Sequence, residues 1–210
     1  MGKGEKRMIL GVTGGIAAGK STVVEEFRRL GAEVVSADQL SRDAVRPGSP
    51  ALQKIVERFG REVLFENGEL DRDKMARIVF NDPAARQELE KIVHPEIEKL
   101  ARRELAAASR RAQLVVYEAP LLFERGAQRR VDRVLAVTVA QDEQLRRLMA
   151  RDNLSGDAAR NRIAAQMPQD RKAALADFVI DNTDAPEQTR AQVRSLYRQL
   201  TGGGPDSPAR

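Results

Sequence analysis

Residues 8–21 read MILGVTGGIAAGKS, and this stretch decides the fold. The first six residues form an apolar run that ends at Gly14 and Gly15, which is typical of a buried parallel strand. Residues 14–21 match the pattern Gly, four residues, Gly-Lys-Ser, in which main-chain N–H groups wrap around a phosphate. Apolar residues at helical spacing follow the pattern. The sequence therefore predicts a phosphate loop between a strand and a helix, the context that such a loop requires.

The chemistry of phosphate binding explains the residue types in this loop. Gly14 and Gly19 permit a tight path, and the N-terminus of the following helix favours an anion. Lys20 supplies a point charge for the outer phosphates of ATP, and the Ser21 hydroxyl suits Mg²⁺. The alternative is a glycine-rich turn before a capped helix, with Ser21 serving structure only. The residues predicted to bind ATP are Gly14, Gly15, Ile16, Ala17, Ala18, Gly19, Lys20, Ser21 and Thr22.

Composition places limits on the rest of the chain. The 210 residues are 41% hydrophobic and include no Trp, which predicts an aliphatic core. Cysteine is absent, so a disulfide framework and a thiolate metal site are excluded. No apolar run approaches the roughly 20 residues that cross a bilayer. Residues 1–7 are basic and no long apolar segment follows them, so we expect a cytoplasmic protein without a secretory signal.

The net charge of +5 and the pI near 9.8 fit either a nucleic-acid surface or a site for small polyanions. Basic patches with interleaved aromatic residues are missing from the sequence. We therefore favour small polyanions such as nucleotides and expect neither a nucleic-acid nor a membrane partner. For the oligomeric state we expect a monomer or a weak homo-oligomer.

Strands alternate with helices, which predicts an α/β fold with a parallel sheet covered on both faces. Between the second and third strands, residues 46–111 carry several apolar stripes at helical spacing and are predicted to form a helical insertion. His94-Pro95 is predicted to break this insertion into separate helices. The predicted organisation is a core of residues 1–45 and 112–200, the insertion, and a disordered tail of residues 201–210. The predicted strands are 8–13, 33–36, 114–117, 133–139 and 178–180.

Several classes of protein contain a phosphate loop, and the sequence favours one of them. A GTPase usually carries Asn-Lys-x-Asp, which this sequence lacks, and a motor ATPase would be longer. An arginine-rich late segment suits a small-molecule kinase, because cations neutralise charge on the moving phosphoryl group and a lid excludes water. The alternative is a solvated helix face. The cationic candidates are Arg147, Arg151, Arg162 and Lys172.

Three other polar residues have a functional and a structural interpretation. Asp38 follows the second strand and is either a base for an attacking hydroxyl or a helix N-cap. Glu118 follows the third strand and either reaches Mg²⁺ or lies on the surface. His94 is the only histidine, and before Pro95 a structural role is the better interpretation.

The whole set of motifs resembles the dephospho-coenzyme A kinase family over roughly residues 8–200. The matching positions, in chain order, are 10–16, 19–22, Ala37, Asp38, Arg42, Pro47, Gly48, Pro50, Ala51, Phe59, Gly60, Gly68, Leu70, Arg72, Phe80, Leu89, His94, Pro95, 120–124, Gln166, Lys172, Ala176, Asp177 and 179–182. A set of this size in this order is highly specific.

The resemblance implies transfer of the γ-phosphoryl group of ATP to the 3′-hydroxyl of the ribose of dephospho-CoA, the last step of coenzyme A synthesis. It also implies a five-stranded parallel phosphate-loop core, a helical domain at 46–111 that binds dephospho-CoA, and a lid at about 146–172. Asp38 matches the family's proposed base, and Asn182 lies where the adenine pocket forms. Arg147 and Arg151 are the lid arginines expected to stabilise the transition state. Further substrate contacts are expected at Arg42, His94, Pro120 and Leu121, and metal contacts at Ser21 and Glu118.

Four positions depart from the family pattern. Ser36 stands where Asp is common, so this chain lacks the carboxylate that could contact a metal at that position. Ala17 and Ala18 stand where Gly-Ser is common, and because Ala resists a positive φ we expect no left-handed backbone at Ala17. Glu118 stands where Asp is frequent, and its longer side chain suits a metal contact through water.

Two other functions are compatible with a phosphate loop. One is a kinase for nucleoside monophosphates or shikimate, which the chain-long motif set disfavours. The other is a nucleotide-binding regulator or nucleic-acid partner without turnover, which the presence of Lys20, Ser21 and Asp38 disfavours.

Overall fold

The computed structural model describes residues 7–202, which form two compact units. One unit comprises the residues up to 35 together with those from 105 onward, and the other comprises residues 36–104. The strands are β1 Met8–Gly14, β2 Glu33–Ser36, β3 Leu114–Glu118, β4 Arg133–Thr138 and β5 Phe178–Asp181. The helices are α1 Lys20–Arg29, α2 Ala37–Asp43, α3 Pro50–Phe59, α4 Arg72–Asn81, α5 Pro83–Arg111, α6 Gln141–Asp152, α7 Gly156–Ala164, α8 Gln169–Leu175 and α9 Pro186–Thr201.

The five strands form one parallel sheet in the order β2-β3-β1-β4-β5. In the register of the central strand, Ile9 lies opposite Val115 of β3 and Gly11 lies opposite Val134 of β4. Successive side chains of a strand point to opposite faces of the sheet. All residues from 114 to 117 are at most 1% exposed, so both faces are covered at β3. The predicted α/β fold with a parallel sheet is confirmed.

The core of this first unit is aliphatic, as its composition predicts. Phe27 of α1 and Val193 of α9 pack with strand residues such as Leu10 and Val137, and all four are fully buried. Near 25 cal/mol per Å² of apolar area, such burial stabilises the sheet and its helices together. The predicted strands agree with the observed ones to within a residue at each end.

The second unit is helical. Its apolar cluster includes Leu52 and Ile55 of α3 and Met75 of α4, each at most 5% exposed. Side-chain caps begin the helices: the Ser49 hydroxyl accepts from Leu52 N–H at 3.2 Å, and the Asp71 carboxylate accepts from Lys74 N–H at 2.9 Å. Each such cap contributes about 1 kcal/mol to the helix it begins.

The predicted break at His94-Pro95 is wrong, because α5 runs from Pro83 to Arg111 with Pro95 inside it. A proline within a helix loses one hydrogen bond and costs about 3 kcal/mol. Residues on both sides of the proline compensate by packing on the same apolar cluster of the second unit. These residues are Leu89, Ile92, Val93, Ile97 and Leu100. Tertiary packing therefore overrides a strong local signal.

The predicted disordered tail begins too early, because Thr201 ends α9 and Gly202 caps it in the left-handed conformation. The remainder of that predicted tail, 203–210, lies outside the described residues, and so do residues 1–6 of the basic N-terminal segment in which no secretory signal is expected. Within residues 7–202 no helix is both long enough and apolar enough to cross a bilayer.

Candidate active site

The chain between β1 and α1 forms a tight loop that only glycine can follow at two positions. Gly19 is the N-cap of α1 with φ +82°, and a Cβ there would lie 2.0 Å from Asn182 Nδ2. A Cβ on Gly14 would lie 2.5 Å from the Val137 carbonyl oxygen of β4. Gly14 is therefore required because the backbone approaches the sheet closely. Gly19 is required both by its backbone conformation and by its close approach to Asn182.

The expectation for Ala17 is wrong, because its φ is +58°. Ala18 N–H donates to the Gly15 carbonyl at 3.2 Å, which closes a four-residue turn. The two central residues of this turn are Ile16 and Ala17, and of these only Ala17 has a positive φ. This is the pattern of a type II turn, which requires positive φ at its third residue. Left-handed backbone costs a residue with a Cβ about 1–2 kcal/mol. The loop therefore holds strain at the position where the family pattern commonly has Gly.

Lys20 bends back over the loop. Its Nζ donates to the Gly14 carbonyl at 3.1 Å and to the Gly15 carbonyl at 3.2 Å. These bonds place the ammonium at the N-terminal end of α1, where backbone N–H groups and the helix dipole also favour an anion. Ser21, in the first turn of the same helix, is exposed. The geometry of the loop suits phosphate binding.

The residues predicted to hold Mg²⁺ have suitable chemistry. Ser21 offers a hydroxyl oxygen and Glu118, the last residue of β3 and the register partner of Val12, offers a carboxylate. Mg²⁺ prefers oxygen ligands and keeps several waters and phosphate oxygens in its shell. Across residues 7–202 no group of three or more His, Cys, Asp or Glu could hold a metal alone. A hydroxyl and a carboxylate are both oxygen donors of the kind that Mg²⁺ prefers, and their contact with a metal stays a prediction.

Asn182 lies against the phosphate loop. Its side chain is 6% exposed, its Nδ2 donates to the Ala18 carbonyl at 2.9 Å, and its Oδ1 accepts from the Thr189 hydroxyl of α9 at 2.8 Å. Both ends of the amide therefore connect the loop to α9. Contact of Asn182 with adenine stays a prediction.

The two arginines of α6 that were predicted to act in the lid have different surroundings. Arg147 is anchored by Glu143 at 2.6 Å, and its Nη1 would lie 3.7 Å from a Cβ on Gly19, so its guanidinium lies beside the phosphate loop. Arg151 instead pairs with Asp152 at 2.8 Å and its side chain is 56% exposed. The solvated-face interpretation fits Arg151 better than Arg147, and it also fits Arg162, which shares Asp152.

The anchor of Arg147 does not titrate near neutral pH. Hydrogen bonds from Arg146 and Arg147 lower the pKa of Glu143 to about 2. Because the folded-state pKa is depressed, the interaction is fully present above the ordinary carboxyl pKa and is lost only as the pH falls towards 2. The Glu143 carboxylate is therefore ionised, and able to pair with Arg147, at every pH at which a kinase is ordinarily assayed.

Lys172 is not on a solvated face, because its side chain is fully buried. Its Nζ donates to the Pro120 carbonyl at 2.7 Å and pairs with Glu124 at 2.8 Å. The Thr13 hydroxyl, just before the phosphate loop, donates to the same Pro120 carbonyl at 3.0 Å. Lys172 therefore ties α8 to residues 120–124 and, through Pro120, to the end of β1. Leu121 in that segment is 38% exposed.

Replacing Glu124 with Met is expected to lower the free energy of unfolding by about 3 kcal/mol, because the enclosed ammonium of Lys172 loses its carboxylate. Urea denaturation at pH 7 measures the change. The double variant Lys172→Met with Glu124→Met should recover most of the loss, since apolar replacement of a whole buried ion pair is close to neutral. A Glu124→Met protein as stable as the wild type would contradict the assigned role.

The second unit carries three of the predicted site residues. Asp38 lies exposed in the first turn of α2, but it is not the N-cap: the Ser36 hydroxyl caps the helix by accepting from Gln39 N–H. The capping alternative for Asp38 is thus wrong, and Ser36 has a structural function where the family commonly has Asp. Arg42, one turn along α2, is also exposed. His94 lines a shallow open groove on α5 with Gln87, Glu90, Lys91 and Pro95.

Two glutamines at the loop were not predicted as site residues. Gln144 Nε2 donates to the Ile16 carbonyl, and Ile16 N–H donates to Gln166 Oε1, both at 2.9 Å. Gln166 appears among the motif positions of the resemblance, which is the one signal that could have identified it. Nothing local in the sequence distinguishes Gln144 from the other polar residues of α6.

Comparison with known proteins settles the family. Residues 8–187 match the family model described as dephospho-CoA kinase. The chain belongs to the dephospho-CoA kinase family. A dephospho-CoA kinase of Syntrophotalea carbinolica is 56% identical over 96% of this chain and 97% of that relative. One from Geobacter metallireducens is 47% identical over 91% and 96% of the two chains.

A crystal structure of a Thermus thermophilus protein superposes on the chain with a TM-score of 0.79 at 37% identity, covering 93% of this chain and 99% of that one. The predicted resemblance to the dephospho-CoA kinase family and the phosphate-loop kinase fold are both confirmed. The protein is an enzyme of the kinase class, so the non-enzymatic rival is wrong. The dephospho-CoA kinase family is one of ATP-dependent kinases that act on small molecules.

Proposed function

We propose that this protein transfers the γ-phosphoryl group of ATP to the 3′-hydroxyl of the ribose of dephospho-CoA, with Mg²⁺ required, in the cytoplasm. One observation carries the proposal. A member of the dephospho-CoA kinase family retains a phosphate loop in which Lys20 bends over the loop and Ser21 is exposed at the start of α1.

The residues of the loop have distinct tasks in an in-line transfer. The loop N–H groups and Lys20 hold the β- and γ-phosphates, because backbone donors and an ammonium stabilise spread anionic charge. Ser21 would hold the metal directly and Glu118 through water. A bound Mg²⁺ would supply positive charge that offsets the negative charge developing on the transferred phosphoryl group.

The acceptor is activated by a residue of the second unit. Asp38 orients the 3′-hydroxyl and accepts its proton as the phosphoryl group moves. Residues 46–111, with His94 on the α5 groove, are proposed to bind dephospho-CoA together with Arg42, Pro120 and Leu121. Arg147 stabilises the transition state beside the loop, and Arg151, which is exposed and pairs with Asp152 in this structure, contributes only once the lid of residues 146–172 closes.

A coupled ADP-release assay with several acceptors tests the proposal. We expect turnover with dephospho-CoA and Mg²⁺, and none with shikimate, AMP or CMP, or when EDTA removes the metal. An analogue of dephospho-CoA without the 3′-hydroxyl is the matched control, because it differs from the substrate only in the reacting group. ADP release with that analogue, or with another acceptor in preference to dephospho-CoA, would refute the proposed transfer.

A further inference from the structure

Ile16 of the phosphate loop is held at both its polar backbone atoms by side-chain amides from distant parts of the chain. Its carbonyl accepts from Gln144 Nε2, and its N–H donates to Gln166 Oε1, both at 2.9 Å. Gln144 belongs to α6, and Gln166 lies between α7 and α8. We name these two hydrogen bonds the amide clamp. They hold the two peptide groups on either side of the Ile16 Cα.

The amide clamp lies next to the strained residue of the loop. The Ile16 carbonyl belongs to the peptide group that joins Ile16 to Ala17, and the orientation of that group sets φ of Ala17. This φ is +58°, a conformation that a residue with a Cβ rarely adopts. The hydrogen bond from Gln144 therefore holds the Ile16–Ala17 peptide group in the orientation that the turn at residues 15–18 requires.

Gly15 makes room for the clamp. A Cβ at this position would lie 2.7 Å from Gln144 Nε2. Gln144 is only 3% exposed, so its amide is enclosed by the protein and cannot swing into solvent. The absence of a side chain at Gly15 thus serves the contact between α6 and the loop, in addition to any approach of phosphate to the backbone.

We propose that Gln144 and Gln166 are positioning residues that keep the phosphate loop in its ATP-binding shape by offsetting the left-handed strain at Ala17. This inference rests on the proposed use of the loop for ATP. A loop that is already ordered loses less freedom when a ligand binds, so the clamp raises affinity without touching the nucleotide. Because Gln166 lies within the predicted lid, the order of the loop also depends on where that segment lies.

Gln144→Met and Gln166→Met test the proposal, because Met has a similar shape and neither donates nor accepts as an amide does. Calorimetric titration with a non-hydrolysable ATP analogue and Mg²⁺, without acceptor, measures Kd. We expect each variant to raise Kd about five-fold, the effect of one lost hydrogen bond. The KM for dephospho-CoA should stay unchanged. Gln141→Met is the matched control, because Gln141 is exposed on the same helix as Gln144. This variant should bind the analogue as tightly as the wild-type protein does.

Ala17→Gly separates positioning from general destabilisation. Glycine adopts the left-handed conformation without the Cβ penalty, so the clamp has less strain to offset. In the Ala17→Gly background we expect each glutamine substitution to change Kd by less than about two-fold. A merely structural loss at Gln144 or Gln166 would not be rescued by a change at residue 17.

The outcomes are distinct from those that test the proposed function. Wild-type affinity in both Met variants, or an undiminished loss in the Ala17→Gly background, overturns the proposal. Gln166 is only partly buried, so we expect Gln166→Met to fold. Its Kd would then test the proposal even if Gln144→Met did not fold. A wild-type protein that binds the ATP analogue but does not phosphorylate dephospho-CoA refutes the proposed function and leaves the amide clamp to be judged by Kd.

Discussion

Asp38→Asn is expected to lower kcat for dephospho-CoA phosphorylation by about 10²–10⁴-fold, the range for loss of a general base. The amide has nearly the shape of the carboxylate but cannot accept the proton of the attacking hydroxyl. Affinity for ATP should change little, because the phosphate loop and its contacts lie in other parts of the chain. Asp38 is exposed and Ser36 caps α2, so the substitution leaves the helix intact.

Steady-state kinetics with ADP release, and titration with an ATP analogue, measure the two quantities separately. Asp43→Asn is the matched control, because it removes a carboxylate from the same helix, where Asp43 accepts from Gln39 Nε2 at 2.9 Å. We expect near wild-type kcat from this control. Full turnover by Asp38→Asn would show that another group takes the proton.

Lys20→Met is expected to lower kcat/KM by about 10³-fold, comparable to the loss of one group that stabilises transition-state charge. The substitution removes the ammonium and the two hydrogen bonds from Nζ to the Gly14 and Gly15 carbonyls. Both kcat and the affinity for ATP should fall, in contrast to Asp38→Asn, because the charge acts on bound phosphates and on the transition state alike.

The same kinetic and titration measurements apply to Lys20→Met. Arg29→Met removes one positive charge from the far end of α1, where the guanidinium is 65% exposed, and it controls for the change in net charge. If Lys20→Met were about as active as Arg29→Met, Lys20 would not have a catalytic role. Lys20→Arg should not restore the wild-type rate, since a planar guanidinium cannot replace a compact ammonium within the loop.

Sequence patterns predicted the elements whose formation depends on neighbouring residues in the chain. The apolar run before Gly14 and the phosphate-loop spacing place β1 and α1, because strand burial and anion binding each need particular residue types in sequence. The alternation of strands and helices predicted the parallel sheet for the same reason. These features could be recognised without any knowledge of tertiary contacts.

Other features depend on residues far apart in the chain, and the sequence did not predict them. Continuation of α5 through Pro95 depends on packing of both its halves on one apolar cluster. Burial of Lys172 depends on an acceptor at Pro120 and a carboxylate at Glu124. Ile16, the residue before the left-handed Ala17, is hydrogen-bonded by glutamine side chains more than a hundred positions away. In each case a tertiary contact overrides the local preference that the pattern expresses.

Pro95 also has a consequence for molecular recognition. In a regular helix the N–H of residue 95 would donate to the carbonyl of residue 91, but proline has no N–H. The Lys91 carbonyl therefore lacks its regular helical donor, and Lys91 is one of the residues that line the shallow groove with His94. Proline thus removes one donor from the helix backbone beside the groove, and a carbonyl that loses its regular donor can accept from water or from another N–H group.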